Sequence, residues 1–273
     1  MKESYRNIIN YSISEMNAAE DQVASISESM RQIRDLSINS TNVAYDGNVA
    51  TLGTYIKGIL NDLVRNSNAD FNGKYLFSGT STTPDNIKAS FPDMNNMPYE
   101  IVEGNSTDEN PSGLKVVFKG NMDNRVINKD AHSQEIININ PNSLFGEGGV
   151  KYFQPIIEMY NVLQFNSDGS KRETLDSLSN EDKSKINEFQ KQIANNLEVV
   201  NKNTALFAAK RNRMDSVGTQ MSEEIVRLEE VKSLKEDADM PRILTELAKE
   251  ENALQYSLST GSKIQKYSLF DFI

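Results

Sequence analysis

The chain has 273 residues, enough for one large or two modest domains, and its 37% hydrophobic and 25% charged content suits long solvated helices better than a compact enzyme. A net charge of −10 argues against nucleic acid and against insertion into anionic membranes. The absence of cysteine removes disulfides, thiolate catalysis and cysteine metal sites together, and the single histidine, His132, reads as a surface loop residue without the companions a zinc site needs.

The opening MKESYRNIIN has no apolar core of the kind a secretory signal peptide carries, so export would need another route. Residues 1–44 then repeat in sevens. Ile9, Met16, Val23 and Met30 form one seam position, and Ser12, Ala19, Ile26 and Ile33 form the other. The spacing predicts a long helix over 5–44. Tyr45-Asp46-Gly47-Asn48 supplies turn chemistry after it. A second helix follows, with Val49, Leu52, Ile56, Ile59, Leu60 and Leu63 on one face.

At 71–80 stands FNGKYLFSGT. Asn-Gly is the strongest short signal for a tight hairpin, because both central residues take positive φ there. Three bulky residues follow, Tyr75, Leu76 and Phe77. They either close the end of their own helical bundle or face another molecule.

Proline is unevenly distributed along the chain. None occurs in 1–83 or 156–240, and five of the seven lie within 84–141. Short β-branched runs at 99–102, 114–118, 125–127 and 135–139 predict strands separated by Gly, Asn, Asp and Pro. This region, 84–150, is expected to form a separable β-rich domain. Gly146, Gly148 and Gly149 read as a flexible link, since no Lys-Ser/Thr follows to make a phosphate loop. A helix is expected at about 151–165. Residues 104–112 and 166–172 read as surface loops.

The C-terminal half repeats more strictly. Ile186, Ile193, Val200, Phe207, Met214, Met221 and Leu228 recur at an unbroken interval of seven. Phe189, Leu197, Val217, Ile225 and Val231 sit beside that seam. Ser179 with Asp182 three residues on forms a capping-box start. Asn203 and Lys210 are polar seam positions, which either fix register or face something small. From Asp239 the chain reads DMPRILTELAKEENALQYSLSTGSKIQKYSLFDFI. Pro241 is expected to open a new helix. Its stripe is Leu244, Leu247, Leu254, Leu258, Gly261 and Ile264, ending in Leu269, Phe270 and Phe272. Chain ends are usually polar, so an apolar one calls for a partner.

No catalytic constellation is visible. GxGxxG, GxxxxGK[ST], GxSxG and HExxH are absent, and adjacent acids such as Glu223-Glu224, Glu229-Glu230 and Glu250-Glu251 diverge on a helix. No catalytic, cofactor or metal residues are assigned. The fold expected is mainly α with a β-rich insert, a long antiparallel helical rod carrying a small outer domain and a C-terminal amphipathic helix. Its parts are 1–83, 84–165 (ending somewhere between 150 and 180), 175–238 and 239–273.

Two stretches, NSNADFNGKYLFSGT and DADMPRILTELAKEENALQYSLSTGSKIQKYSLFDFI, resemble the flagellin superfamily, and within it the hook-associated protein 3 branch. The resemblance covers roughly 1–80 and 175–273. It implies a structural protein of the bacterial flagellum, extracellular at the junction of hook and filament and exported by the flagellar type III apparatus. It also implies neighbours in hook-associated protein 1 and flagellin, self-association into a ring, and an export chaperone. The interface residues it suggests are Phe71, Asn72, Gly73, Tyr75, Leu76 and Phe77 in the hairpin. In the tail they are Leu244, Leu247, Leu254, Leu258, Ile264, Leu269, Phe270 and Phe272. Members of the family begin with a further apolar segment that pairs with the C-terminal helix, and this sequence starts at the approach to the first long helix. The alternatives are flagellin itself, and a type III secretion tip or translocator protein, for which no membrane-active segment is visible. An enzyme is the third class.

Overall fold

The computed structural model describes residues 2–41, 48–91, 95–173 and 176–266. It divides into two compact units, Met1–Gly218 and Thr219–Ile273. In chain order the elements are α1 (Lys2–Ser40), α2 (Val49–Ser67), β1 (Asp70–Phe71), β2 (Lys74–Tyr75), α3 (Pro84–Ser90), β3 (Tyr99–Glu103) and β4 (Leu114–Phe118). They continue with β5 (Val126–Asn128), β6 (Gln134–Ile136), α4 (Pro141–Phe145), α5 (Gln154–Gln164) and α6 (Asn180–Lys266). The fold is mainly α with a small β insert, as the periodicities predict.

In the first unit both heptad seams are buried. Ile9, Met16, Val23, Ile26 and Ile33 on α1 are fully enclosed, and so are Ile186, Ile193 and Val200 on α6. Three contacts fix the pairing: Ser27 with Asn201, Glu20 with Arg211, and Ile9 with Gly218. As one number falls the other rises, so α1 and α6 run antiparallel. The Glu20–Arg211 pair is bidentate, at 3.2 and 2.9 Å, and that carboxylate holds the Arg211 guanidinium above its ordinary pKa. α2 packs beside α1, burying Val49, Ile56, Leu60 and Leu63. Tyr45 to Gly47, where sequence places the turn between them, lie outside the described residues.

α6 starts as its capping box predicts. Asp182 donates its backbone N–H to Ser179 Oγ, and Ser179 N–H donates to Asp182 Oδ2, each at 3.1 Å. The same carboxylate receives Arg172 Nη2 at 2.7 Å. Arg172 also donates to the carbonyls of Val162 and Ser177. The stretch 166–172 is therefore not all surface loop, because Arg172 at its end is buried. α6 does not stop before Pro241 and restart there. It runs through the proline as one helix, which forfeits one ladder bond at that point.

Among the described residues the strands form three antiparallel pairs, the hairpin β1–β2 and, within the insert, β3–β4 and β5–β6. The strands fall where the β-branched runs are, except that residues 137–139 leave the ladder while Ile137 and Ile139 stay buried. The insert belongs to the same compact unit as the helices. Asn68, just past α2, clamps the start of β3 by accepting from Tyr99 N–H at 2.7 Å and donating to its carbonyl at 2.8 Å. The Tyr99 ring then packs on Phe118, Phe145 and Phe153, with centroids 4.8, 5.0 and 6.1 Å away. Burial pushes its hydroxyl well above the ordinary value. Lys119 is fully enclosed, and its ammonium donates to the Asn95 carbonyl, Asn95 Oδ1 and Glu100 Oε2. Three donors meet three acceptors, which is what makes a buried lysine tolerable.

Polar contacts fasten the insert to the helices. Arg125 pairs with the buried Glu15 of α1. Arg213 of α6 reaches Glu135 of β6 at 2.5 Å. Asn203, the polar seam residue, donates to the Ser143 carbonyl of α4, so its amide is there to meet a neighbouring backbone group. Gly146 is not a flexible link. It caps α4 at φ 78°, and a Cβ there would lie 2.6 Å from the Tyr152 ring. Strict packing, not freedom, selects glycine at this position.

Ile193→Asp or Phe207→Asp should unfold the first unit, because each buries an unpaired charge, while Leu234→Asp at a 71% exposed site should change stability by no more than about 0.5 kcal/mol. Urea unfolding followed by circular dichroism checks this. A second test uses pH. Burial pushes the Glu135 carboxyl up, but Lys129 and Arg213 more than offset it, so the group lies below its ordinary value. A lowered folded pKa stabilises at neutral pH and loses that contribution as pH falls through the folded value. The stability gap between the native chain and Glu135→Gln should therefore be widest near about pH 7 and close towards about pH 3.

Candidate functional site

The hairpin forms as Asn72-Gly73 predicts, with φ 52° and 75°. Its two-residue loop is of the type that matches strand twist, and Asp70 Oδ2 accepts the Gly73 N–H at 2.9 Å. The apolar residues after it then divide. Leu76 and Phe77 are 1% and 0% exposed. Phe77 meets Phe145 edge-on at 6.3 Å, and its carbonyl accepts from the Tyr99 hydroxyl. These two residues plug the junction of helices and insert in their own chain. Phe71, Asn72, Gly73 and Tyr75 remain at or near the surface.

That surface continues onto α1. The Tyr11 ring meets Phe71 edge-on at 5.6 Å, and the Lys74 ammonium lies 6.0 Å from the Tyr11 centroid. Ile8, Tyr11 and Val126 are exposed by 40–48%. With Lys74 and Arg125 they line a groove of about 790 Å³. Sequence reading missed Ile8, Tyr11 and Val126. The signal was present for two of them, since Ile8 and Tyr11 are apolar, three apart and off the seam, a pairing that a buried-face pattern does not require.

The second unit offers a different surface. Leu244, Leu247, Leu254 and Leu258 are 54–65% exposed along one side of α6. Leu228, Val231 and Leu234 are exposed as well, whereas Ile225 is buried. Ile264 lies on the described helix without a described side chain, and Leu269, Phe270 and Phe272 lie outside the described residues.

Among the described residues no group of three or more His, Cys, Asp or Glu could hold a metal ion. His132 is exposed between β5 and β6, with its N–H donated to Asp130 Oδ1. Among the described residues no helix is long and apolar enough to cross a membrane.

No family model matches the chain, and no curated protein matches it in sequence. Solved structures do match. A flagellar hook-associated protein from Vibrio parahaemolyticus superposes with a TM-score of 0.64 at 19% identity, over 84% of this chain and 89% of that one. Flagellar hook-associated protein 3 from Legionella pneumophila gives 0.63 at 11%, over 86% and 96%. The flagellar junction protein FlgL from Legionella pneumophila gives 0.56 at 12%, over 78% and 95%. The fold is that of the hook-associated protein 3 structures. At these identities the likeness is one of fold, and it spans most of the chain on both sides.

The division of the hairpin has a measurable consequence. Phe77→Ala should cost about 3–5 kcal/mol of unfolding free energy, as a fully buried phenylalanine does. Phe71→Ala and Tyr11→Ala should each cost less than about 1 kcal/mol. Urea titrations of the three variants check the order.

Proposed function

We propose that this chain is a non-enzymatic structural subunit of the bacterial flagellum, seated between hook and filament and needed for the filament to assemble. The observation that carries the reading is a fold shared with hook-associated protein 3 structures over 78–86% of this chain and at least 89% of theirs. Two surfaces support it. The groove beside the hairpin exposes Ile8, Tyr11 and Val126 among polar and charged residues of the first unit, and the leucine stripe from Leu244 to Leu258 is exposed on the second. On this reading residues 239–273 are the polymerisation segment, and the hairpin face meets a neighbouring copy in a ring. Hook-associated protein 1 and flagellin are then the neighbours along the axis. Delivery is by the flagellar type III apparatus with an export chaperone.

The test is complementation of a strain lacking the protein. The full chain should restore swimming, and immunogold should label one band per flagellum at the base of the filament. A chain truncated before Asp239 should leave the melting of the first unit unchanged, yet flagellin should leak into the medium and swimming should stop. Assaying the truncated protein in the culture supernatant separates failed export from failed assembly. Label along the whole shaft would replace the junction reading with flagellin. Swimming with the truncated protein would remove the tail from the assembly role.

A further inference from the structure

An uncovered sheet edge is a template for another strand, because its N–H and C=O groups point outward without partners. At β2, β3 and β4 outward groups find partners in the chain itself. Thr82 accepts the Tyr75 N–H, Asn68 clamps Tyr99, and Asn110 donates to the Leu114 carbonyl. The β5–β6 ribbon is open on both edges. Ile137 N–H donates to the Arg125 carbonyl and Lys129 N–H to the Ser133 carbonyl, in register with Ile127 opposite Glu135. In an antiparallel pair such bonded positions alternate with positions whose backbone groups face away. Val126 and Asn128 therefore point their N–H and C=O off one edge, and Gln134 and Ile136 point theirs off the other. No third strand joins either edge among the described residues.

The side chains at these positions point the same way. Exposed edges are ordinarily blocked by lysine, other charges or proline, and Val126, Asn128, Gln134 and Ile136 are none of these. Val126 is 48% exposed, and Asn128 and Gln134 are exposed as well. The two edges also look in opposite directions. β5 follows Arg125, which Glu15 of α1 holds, and it lines the hairpin groove together with Ile8 and Tyr11 of α1. β6 is held on the other side by Arg213 of α6, through Glu135. Lys129 and Arg213 share the one carboxylate of Glu135, which leaves a cation in excess beside β6. On the groove side Glu3 has no ion-pair partner among the described residues.

We propose that a second copy of this chain docks its β6 edge on the β5 edge, so that the ribbon continues from copy to copy as one sheet. The inference rests on the ring reading above and names the strands that make the contact. β5, β6 and the next β5 alternate in direction, so the new pair is antiparallel like the pair within each chain. Joining β5 to β5 makes a two-fold dimer and leaves both β6 edges open. Joining β6 to β5 head to tail covers every edge once when the ring closes. It also brings the cation excess beside β6 towards the unpaired Glu3.

The chain has no cysteine, so single-cysteine variants report this contact without background. Full-length Asn128→Cys and Gln134→Cys chains, one of them tagged, are mixed and oxidised over a concentration series reaching about 1 mM, where weak contacts are populated. Disulfides need Cα atoms within about 7 Å, a distance that adjacent strands provide. Val126→Cys with Gln134→Cys covers a register shifted by two residues. One of these mixed disulfides should form at least about tenfold faster than either partner with itself, and faster than Asn128→Cys with Tyr55→Cys, a 61% exposed site on α2. Val126→Lys added to the Asn128→Cys chain charges the edge at an exposed side chain. It should remove the excess and leave the melting temperature unchanged. Faster pairing of any variant with itself, mixed rates no higher than the Tyr55→Cys control, or an excess that survives Val126→Lys overturns the proposal. Cross-linking is read on purified protein, so it is separate from swimming. A chain that restores swimming but gives no mixed excess retains the flagellar reading and loses this contact.

Discussion

The antiparallel pairing of α1 with α6 is the constraint on which the first unit depends. It joins residues up to 191 positions apart in the chain, as Glu20 and Arg211 show. Closing a loop of that length costs roughly 5 kcal/mol. Each fully buried aliphatic side chain returns about 1.5–3 kcal/mol, so three seam residues suffice to offset the closure, and the seam holds many more. Everything between residues 41 and 179 must therefore start and finish at fixed points on two parallel tracks. An insert built under that condition has its ends chosen for it, which is why a single asparagine, Asn68, can set where β3 begins.

The insert meets this constraint with charge and amide contacts at its margins and aromatic packing inside. Glu15–Arg125 and Glu135–Arg213 tie it to α1 and α6 separately. Buried or half-buried pairs of this kind contribute little net stability against well-packed apolar replacements, yet breaking one partner is expensive. Their effect is to penalise wrong alignments more than to deepen the right one. Lys119 makes the same point inside the insert, since an ammonium with three acceptors in place has no acceptable alternative position. An apolar contact would tolerate a slip of one residue far better.

What the sequence could reveal follows from the range of each interaction. Heptads, the Asn-Gly turn and the Ser179/Asp182 capping box are local patterns enforced by local geometry, and all three are found in the structure. The strands at 99–103 and 114–118 were legible for the same reason. Pro241 misled because local propensity predicts a break, while a long helix loses only one bond by continuing. Gly146 misled because its glycine answers to Tyr152, a packing neighbour, and not to chain mobility. Leu76 and Phe77 could have been either core or interface, since hydrophobicity says that a side chain is to be covered and not by what. Arg172 was invisible, because its role exists only once α5 and the start of α6 come together.

The same ambiguity sets a limit on how the second unit can be used. Its leucines keep a helical spacing as the apolar residues of the first unit's seams do, yet Leu244, Leu247, Leu254 and Leu258 are more than half exposed where Ile186 to Met214 are enclosed. Completing the burial of four half-covered leucines on each of two molecules is worth about 1 kcal/mol each, roughly 8 kcal/mol in all. Bringing two free molecules together costs about 4–15 kcal/mol, so the two terms come close to cancelling. One stripe meeting one other stripe is therefore a poor dimer, and the chain should stay apart when dilute. A helix touched by several neighbours at once gains burial on more than one side while its own ordering is counted once. On the assembly reading, this makes the tail sticky only where subunits are already arrayed, so that growth occurs at an existing end and not free in solution.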